Sequence, residues 1–224
     1  MHHIHLSQTS STQEEVKRAL KQGSGDYLVS TDKQTAGVGR QGSEWHQFEN
    51  ALAFSFTLKP NETLTLTPLE IGVHLAKIFS PKLKLKWPND LLSHEGEKVG
   101  GILCQLVGET IVVGIGINLK MPSAVPPFPY QVSSLFNSDE IIDPNIKKEL
   151  PLKIVNYILN NRLSSENVRS EFIKSCVHIN KEVTILNNEN QVMGKFIGIG
   201  ENGEALLESG DNHREKVLTG SLRY

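Results

Sequence analysis

The sequence predicts an α+β protein that ends in a small all-β part. Helix-like and strand-like segments alternate over the first three quarters of the chain, whereas the last segment contains short strand-like runs with turn signals between them. A length of 224 residues is enough for one medium domain and a small one. We therefore expect a first domain over residues 1–177 and a β domain over residues 178–224.

The composition is that of a soluble globular protein, with 38% hydrophobic and 21% charged residues. The chain has 23 basic and 25 acidic residues, so it lacks the basic footprint of a general nucleic-acid binder. Cys104 and Cys176 are too few for a disulfide framework and indicate a reducing, cytoplasmic location. Neither an apolar run long enough to span a membrane nor a secretion signal is visible in the sequence.

The first predicted helix covers residues 11–22. Ser11 and Glu14 have the spacing of a capping box, which supports a helix start at this point. The segment before it is expected to be frayed, and its histidines have no acidic or cysteine partner nearby, so we expect no metal site there. These histidines are His2, His3 and His5.

Alternating or apolar runs predict the strands of the first domain at residues 26–32, 51–58, 82–87, 99–106 and 111–119. The last two form a hairpin. A helix is expected from Thr67 to about Phe79, because Thr-Pro-Leu-Glu is a helix start signal. A helical region opens at Asp143 and is expected to be split by Pro151, and a short helix follows over residues 165–176. In the last domain, Asn187-Asn188 predicts a turn.

The segment TAGVGRQGSEW (35–45) has the G-x-G-x-x-G spacing of a dinucleotide-binding turn. That interpretation is disfavoured, because a strand-like run follows too soon for a crossover helix and Trp45 is bulky. A flexible surface loop is the plain alternative. Arg40 favours an anion-binding loop, since a guanidinium and exposed backbone N–H groups together bind phosphate or carboxylate.

Three other segments carry residue types suited to chemistry. In KWPND (86–90), Asp90 follows a strand, where it either closes an Asx-type turn or lies near a metal–phosphate group. In KVGGILCQ (98–105), Lys98 opens an apolar strand and is followed by two glycines. In VVGIGINL (112–119), Gly114 and Gly116 leave either a slot for a flat ring or room for a packed helix.

Together with SSTQ (10–13), these segments resemble the motifs of the biotin protein ligases, in the same order and at matching intervals. The resemblance extends over nearly the whole chain. It implies a mixed sheet flanked by helices, as in class II synthetases and biotin–lipoate ligases, with a C-terminal SH3-like β-barrel. It also implies a reaction in which biotin and ATP form biotinyl-5′-adenylate, and biotin then passes to a lysine of the biotin carboxyl carrier protein of acetyl-CoA carboxylase.

The resemblance also assigns roles to individual residues. Arg40 and Lys98 are the catalytic cations, and Asp90 is the expected link to Mg²⁺. The residues implied for biotin are Ser11, Thr12, Gln34, Gly37, Arg40, Lys98, Gly101 and Gly116. Those implied for ATP and the adenylate are Gly39, Arg40, Trp45, Asn89, Lys98 and Asn118. The glycine-rich segment would act as a lid that keeps water from the adenylate.

The sequence departs from the family pattern at several positions. Val38 and Ser43 stand where arginines are common, Gln41 carries no charge, and Gln13 replaces an asparagine. Lys33 is a candidate substitute for the missing loop cations. The chain starts almost at the first motif, so we expect a monofunctional ligase without a DNA-binding domain.

Three alternatives stay open at this point. A lipoate or octanoate ligase shares the fold, although its R-R-x-S-G-G-G loop pattern is absent. A non-catalytic module that binds biotin or a carrier would fit the loss of loop arginines. A synthetase-like adenylating domain that binds tRNA is disfavoured by the near-neutral charge. A homodimer is compatible with the sequence, and a membrane partner is not expected.

Overall fold

The computed structural model describes residues 1–187, 190–210 and 213–224. Asn188 of the predicted Asn187-Asn188 turn lies outside the described residues. Within them, seven strands form a mixed sheet and five strands form an antiparallel sheet near the carboxyl terminus. This arrangement confirms the predicted α+β fold with a C-terminal antiparallel β part. The boundary between residues 177 and 178 stays a prediction.

The helices are α1 (Thr12–Gln22), α2 (Thr67–Ile78), α3 (Ile146–Asn160) and α4 (Ser165–Ser175). The strands of the first part are β1 (His2–Thr9), β2 (Tyr27–Gln34), β3 (Gly37–Val38), β4 (Glu44–Trp45), β5 (Ala51–Leu58), β6 (Lys84–Lys86), β7 (Asp90–Leu92), β8 (Lys98–Val107) and β9 (Thr110–Asn118). Those of the second part are β10 (Glu182–Asn187), β11 (Asn190–Ile199), β12 (Ala205–Ser209), β13 (His213–Val217) and β14 (Ser221–Arg223). Among the described helices, none is both long and apolar enough to cross a membrane.

The large sheet has the order β1-β2-β5-β9-β8-β7-β6, and β1 and β2 are its parallel pair. Strand β5 lies between β2 and β9, and all eight of its residues are buried, which explains its apolar sequence ALAFSFTL. The β8–β9 hairpin places Gly101 directly opposite Gly116. The sheet therefore brings the glycine-containing stretches of two neighbouring strands together.

The expectation of a frayed amino terminus is wrong, because residues 2–9 form strand β1. The histidines that made this segment look polar have partners on β2. His3 Nε2 and His5 Nδ1 lie 3.0 Å and 2.9 Å from Ser30 Oγ, and His5 Nε2 lies 3.3 Å from Asp32 Oδ1. These contacts, with the parallel backbone pairing, hold a strand that local sequence does not favour.

Two further sequence predictions are corrected at helix positions. Pro151 does not split the helical region, because α3 continues through it. The proline lies in the second turn and is buried with Ile154, Val155 and Ile158, so packing compensates for the missing backbone hydrogen bond. The capping box of α1 is also absent, since the Ser11 side chain makes no cap hydrogen bond.

The five-stranded sheet has the order β13-β12-β11-β10-β14 and packs against the first part of the chain. Trp87 is buried and its indole Nε1 donates to the carbonyl of Gly203 at 2.9 Å. Thr65 Oγ1 donates to the carbonyl of Asn202 at 2.6 Å. The turn between β11 and β12 is therefore fixed against the KWPND segment.

His178 is fully buried beside this sheet, with its ring 4.2 Å from that of Phe196 and its Nε2 3.4 Å from Cys176 Sγ. Burial, together with the charges of Lys86 and Lys181, lowers the pKa of His178 to about 3. The folded protein therefore holds a neutral imidazole over a pH range in which the unfolded chain binds a proton.

We predict that acid destabilises the protein through His178. Below an ordinary histidine pKa of 6.5 the unfolded state gains a proton that the native state refuses, so stability falls as the pH falls. Between pH 6.5 and 4.5 the free energy of unfolding should drop by about 2 kcal/mol from this group alone. Denaturant titrations at several pH values would measure the slope, which should flatten in His178→Phe. An unchanged slope in that variant would contradict the assignment.

Candidate active site

A cavity of about 300 Å³ lies over strands β5, β8 and β9. Its walls come from the start of α1, the glycine-rich segment, the β6–β7 turn, the β8–β9 hairpin and the β13–β14 connection. The sequence-predicted site residues that line it are Ser11, Thr12, Gln34, Gly39, Arg40, Trp45, Asn89, Asp90, Lys98, Gly101 and Gly116. Segments that are distant in sequence thus meet in one cavity.

One side of the cavity is polar but uncharged. Because β1 and β2 are parallel, the first turn of α1 lies beside the end of β2. Gln34 Oε1 accepts from the backbone N–H of Thr12 at 2.9 Å and from its hydroxyl at 3.2 Å. The Thr12 hydroxyl also lies 2.8 Å from Ser55 Oγ on β5. This network presents hydroxyl and amide groups in fixed orientations, as recognition of a neutral polar ring requires.

Gln13 belongs to the same floor, although sequence reasoning noted it only as a departure from the family pattern. Its Nε2 donates to the carbonyl of Val112 at 2.9 Å. Its Oε1 is buried and has no hydrogen-bond partner within the described residues. A buried carbonyl oxygen without a partner is costly, so this atom is a candidate acceptor for a donor on a bound ligand.

Glycines on β9 make room above this floor. A Cβ atom added at Gly114 would lie 2.6 Å from Gln13 Oε1. One added at Gly116 would lie 2.5 Å from Cε2 of Trp45, whose indole ring covers this position. The absence of a side chain at Gly116 therefore leaves room for the indole ring of Trp45. The Trp45 Nε1 atom is buried and has no partner in the described part of the chain.

Two residues predicted for ligand binding, Gly37 and Asn118, contact other parts of the chain and do not line the cavity. Gly37 pairs with Trp45 across the short β3–β4 ladder, and a side chain there would collide with Gln34 and with the Trp45 backbone. Asn118 is buried and donates from Nδ2 to the carbonyl of Ser133 at 3.0 Å. The structure places neither residue in the cavity wall.

The opposite side of the cavity is charged. Lys98 Nζ lies 2.7 Å from Asp90 Oδ1, and Lys86 Nζ lies 3.5 Å from Asp90 Oδ2. Lys98 Nζ also lies 5.2 Å from the centre of the Tyr130 ring. Two ammonium groups share one carboxylate, so the cluster keeps a net positive charge that favours an anionic ligand.

Arg40 adds a third cation to this side. Its Nη1 donates to Asn89 Oδ1 at 3.4 Å and to the carbonyl of Gly220 at 3.2 Å, and its Nη2 donates to Thr219 Oγ1 at 3.0 Å. Burial lowers the pKa of Arg40, and the nearby charge of Asp90 opposes that shift. A guanidinium stays protonated under all ordinary conditions, so Arg40 is a permanent positive charge at the cavity.

Several lining residues were not predicted from sequence. They include Gln13, Ser55, Lys86, Tyr130 and residues 220–222. Lys86 is the first residue of KWPND, so the motif itself could have indicated it. Residues 220–222 carry no such signal, because they reach the cavity only through the packing of the second sheet. Lys33, suggested as a replacement for missing loop arginines, is exposed and does not line the cavity.

The residues around Asp90 do not fit a magnesium site built from this chain alone. Both carboxylate oxygens of Asp90 face lysine ammonium groups. Within the described residues, histidine, cysteine and carboxylate side chains form no group of three or more that could hold a metal ion. The two lysine ammonium groups therefore compete with any cation for the Asp90 oxygens. The link between Asp90 and Mg²⁺ is tested by nothing in the structure and stays a prediction, and no step below depends on it.

Comparison with known proteins agrees with this geometry. Residues 6–121 match the model of the biotin/lipoate A/B protein ligase family. The bifunctional ligase/repressor BirA of Bacillus subtilis is 33% identical in an alignment 140 residues long, which covers 56% of this chain and 42% of that protein. The biotin–[acetyl-CoA-carboxylase] ligase of Paracoccus denitrificans is 32% identical in an alignment 148 residues long, which covers 56% of this chain and 61% of that protein. The chain thus spans about half the length of these relatives.

Solved structures extend the comparison to the whole chain. The biotin protein ligase from Aquifex aeolicus, solved in complex with biotin and ATP, is 29% identical with a TM-score of 0.79. The match covers 99% of this chain and 98% of that one, including the second sheet. Because the family model matches more than half of the residues and the fold agrees throughout, the chain belongs to the biotin/lipoate A/B protein ligase family.

Proposed function

We propose that this protein is a biotin–[biotin carboxyl carrier protein] ligase. It activates biotin with ATP to biotinyl-5′-adenylate and transfers the biotinyl group to a lysine of the carrier domain of acetyl-CoA carboxylase. A cytoplasmic location, where both substrates and a reduced Cys104 and Cys176 are expected, is part of the same proposal.

The observation that carries this proposal is the division of one cavity into a neutral and a cationic side. The neutral side holds Thr12, Gln34 and Ser55, and the cationic side holds Arg40 and Lys98 with Lys86. Biotin has an uncharged ureido ring at one end and a carboxylate at the other. The polar floor suits the ring, and the cations suit the meeting of a carboxylate with a triphosphate.

In the first step a carboxylate oxygen of biotin attacks the α-phosphorus of ATP, and the bond from that phosphorus to the bridging oxygen breaks. Pyrophosphate leaves with the bonding electrons. Negative charge gathers on the α-phosphate as this happens, so fixed cations lower the barrier. Lys98 acts as a compact point charge, and Arg40 offers planar N–H donors suited to carboxylate or phosphate oxygens.

In the second step the amine of the carrier lysine attacks the biotinyl carbonyl carbon. The carbon–oxygen bond to the phosphate breaks, AMP leaves, and the nitrogen loses a proton to solvent. The mixed anhydride is sensitive to water, so it must stay covered until the carrier arrives. Trp45 and the segment around it lie over the β9 glycines, where they would shield the intermediate.

The test is transfer to a purified carrier domain. The protein is incubated with that domain, ATP and either biotin, lipoate or no acid, and the carrier is weighed by intact-mass spectrometry. We expect a mass gain of one biotinyl group, on one lysine, with biotin alone. Modification with lipoate instead would support the lipoate-ligase alternative. An unmodified carrier in every sample would contradict the proposal and favour a binding module.

A further inference from the structure

Arg40 is the sole basic residue in the glycine-rich segment QTAGVGRQGSEW (34–45). The turn that carries it is tight, with Gly39 N–H donating to the Ser43 carbonyl at 2.6 Å and Ser43 N–H donating to the Arg40 carbonyl at 3.1 Å. These bonds fix the backbone of the turn but not the long arginine side chain. A single flexible cation needs another part of the protein to orient it.

The second sheet supplies most of that orientation. Two of the three hydrogen bonds of the Arg40 guanidinium go to Thr219 and Gly220, at the β13–β14 connection, and the third goes to Asn89. A guanidinium has five N–H donors. Three are engaged, so two stay without a partner in the described residues and are available to an anion in the cavity.

The β13–β14 connection is itself held in place. Gly220 has φ +153°, and a side chain there would collide with Ile185 and with the Leu186 carbonyl on β10. Leu186 and Ile185 pair with Ser221 and Leu222 across the β10–β14 ladder. Because this sheet is also fixed to the β6–β7 turn through Trp87, the Thr219 backbone has a defined position relative to the cavity, while its side chain is exposed and contacts Arg40.

We infer that Thr219 is a positioning residue, which acts through Arg40 to hold the adenylate intermediate. Its hydroxyl accepts from Nη2 and fixes the plane of the guanidinium, so that the remaining N–H donors face the carboxylate and phosphate oxygens. The glycine-rich segment has Val38 and Ser43 at positions where arginines are common in the family pattern, so it carries fewer cations. The second sheet compensates by orienting the one guanidinium that remains. The inference rests on the proposed ligase function.

The experiment compares Thr219→Val, which keeps the shape and removes the hydroxyl, with Thr219→Ser, which keeps the hydroxyl. Each protein is loaded with biotin and ATP, freed of excess ligand, and the release of biotinyl-adenylate is followed by chromatography. We expect release to be about five- to tenfold faster in Thr219→Val, because a hydrogen bond to a charged group is lost. Thr219→Ser should stay within about twofold of the parent.

A double-mutant cycle separates positioning from a general structural effect. For this cycle every protein is loaded with ready-made biotinyl-5′-adenylate, because Arg40→Ala is expected to form little of it. In an Arg40→Ala background, Thr219→Val should then change release by less than about twofold, because the group that it orients is gone. An equal effect in both backgrounds, equal effects of valine and serine, or parental release in Thr219→Val would each overturn the inference. Thr219→Ala serves as a second variant if the valine protein fails to fold.

The behaviour of the parent protein distinguishes a failure of the proposed function from a failure of the role given to Thr219. A parent that forms no adenylate from biotin and ATP contradicts the proposed function, and the inference falls with it. A parent that forms and retains the adenylate, with Thr219→Val behaving identically, overturns the role of Thr219 alone.

Discussion

Replacement of Lys98 by alanine is expected to slow biotin-dependent ATP–pyrophosphate exchange by about 100-fold or more. The ammonium group lies at the cationic side of the cavity, 2.7 Å from Asp90 Oδ1. The backbone of Lys98 is held on both sides, because its N–H donates to the Gln131 carbonyl at 2.9 Å and its carbonyl accepts from the Ser133 N–H at 2.8 Å. The charge is therefore fixed before substrate binds, which is the condition under which electrostatic stabilisation of a transition state is large.

Lys153→Ala is the matched control for this variant. Lys153 is an exposed lysine on α3 that pairs with Glu149 at 3.1 Å, away from the cavity. Its loss should leave exchange within about twofold of the parent, because an exposed ion pair contributes little. Exchange by Lys98→Ala within a few-fold of the parent would remove Lys98 from the mechanism.

The largest effect on stability is expected at Glu70, a fully buried carboxylate on α2. Its Oε1 accepts from Arg162 Nε at 2.8 Å and from the Leu163 backbone at 2.9 Å. Its Oε2 accepts from Arg162 Nη2 and from Asn61 Nδ2, each at 2.9 Å. Burial would raise the pKa of Glu70, but the neighbouring His74 ring, 3.8 Å away, and hydrogen bonds from Arg162, Leu163 and Asn61 lower it well below its usual range.

Glu70→Ala should lower the free energy of unfolding by about 3 kcal/mol, because it leaves the Leu163 N–H and one of the two N–H groups of Asn61 Nδ2 without a partner and breaks the ion pair with the partly buried Arg162. Denaturant unfolding at pH 7 measures this. Glu149→Ala, which removes an exposed carboxylate from α3, should cost less than about 0.5 kcal/mol. Equal losses in the two variants would contradict the role given to Glu70.

The pH dependence of Glu70 has a definite sign. A carboxylate whose pKa is depressed on folding contributes stability above its unfolded pKa, near 4.5, and loses that contribution as the pH falls further. Its contribution therefore begins to fail at lower pH than that of His178, which fails from pH 6.5 downwards.

Sequence patterns predicted the elements whose residues are buried by the sheet itself. The run ALAFSFTL became the fully buried strand β5, and the apolar runs around Gly108 became the β8–β9 hairpin. The sequence did not predict strand β1, because its histidines are typical of a polar, unpaired terminus. These histidines gain hydrogen-bond partners only when β1 pairs with β2. The helix through Pro151 was missed for a similar reason, since burial of its apolar face outweighs a local helix breaker.

The residues of the candidate site also fall into two groups, those that sequence motifs indicate and those that only the folded chain brings together. Motifs with distinctive residues, such as the segment around Arg40 and KWPND, pointed to Arg40, Asp90 and Lys98, and these three residues line one cavity. Their roles in binding stay predictions. Contacts between distant segments carried no local signal. The neighbourhood of Arg40 and Thr219, separated by 179 residues, depends on how the second sheet packs and is visible only in the folded chain.

ATP–pyrophosphate exchange by the purified protein, run with biotin, with lipoate and with no acid, tests whether the cavity forms an adenylate and from which acid. We expect exchange that requires biotin, because the hydrogen-bonding groups of Thr12 and Gln34 suit a polar ureido ring and not an apolar dithiolane ring, while Arg40 and Lys98 suit the carboxylate. Absence of exchange with every acid, in a folded sample supplied with Mg²⁺, would contradict an adenylate-forming cavity.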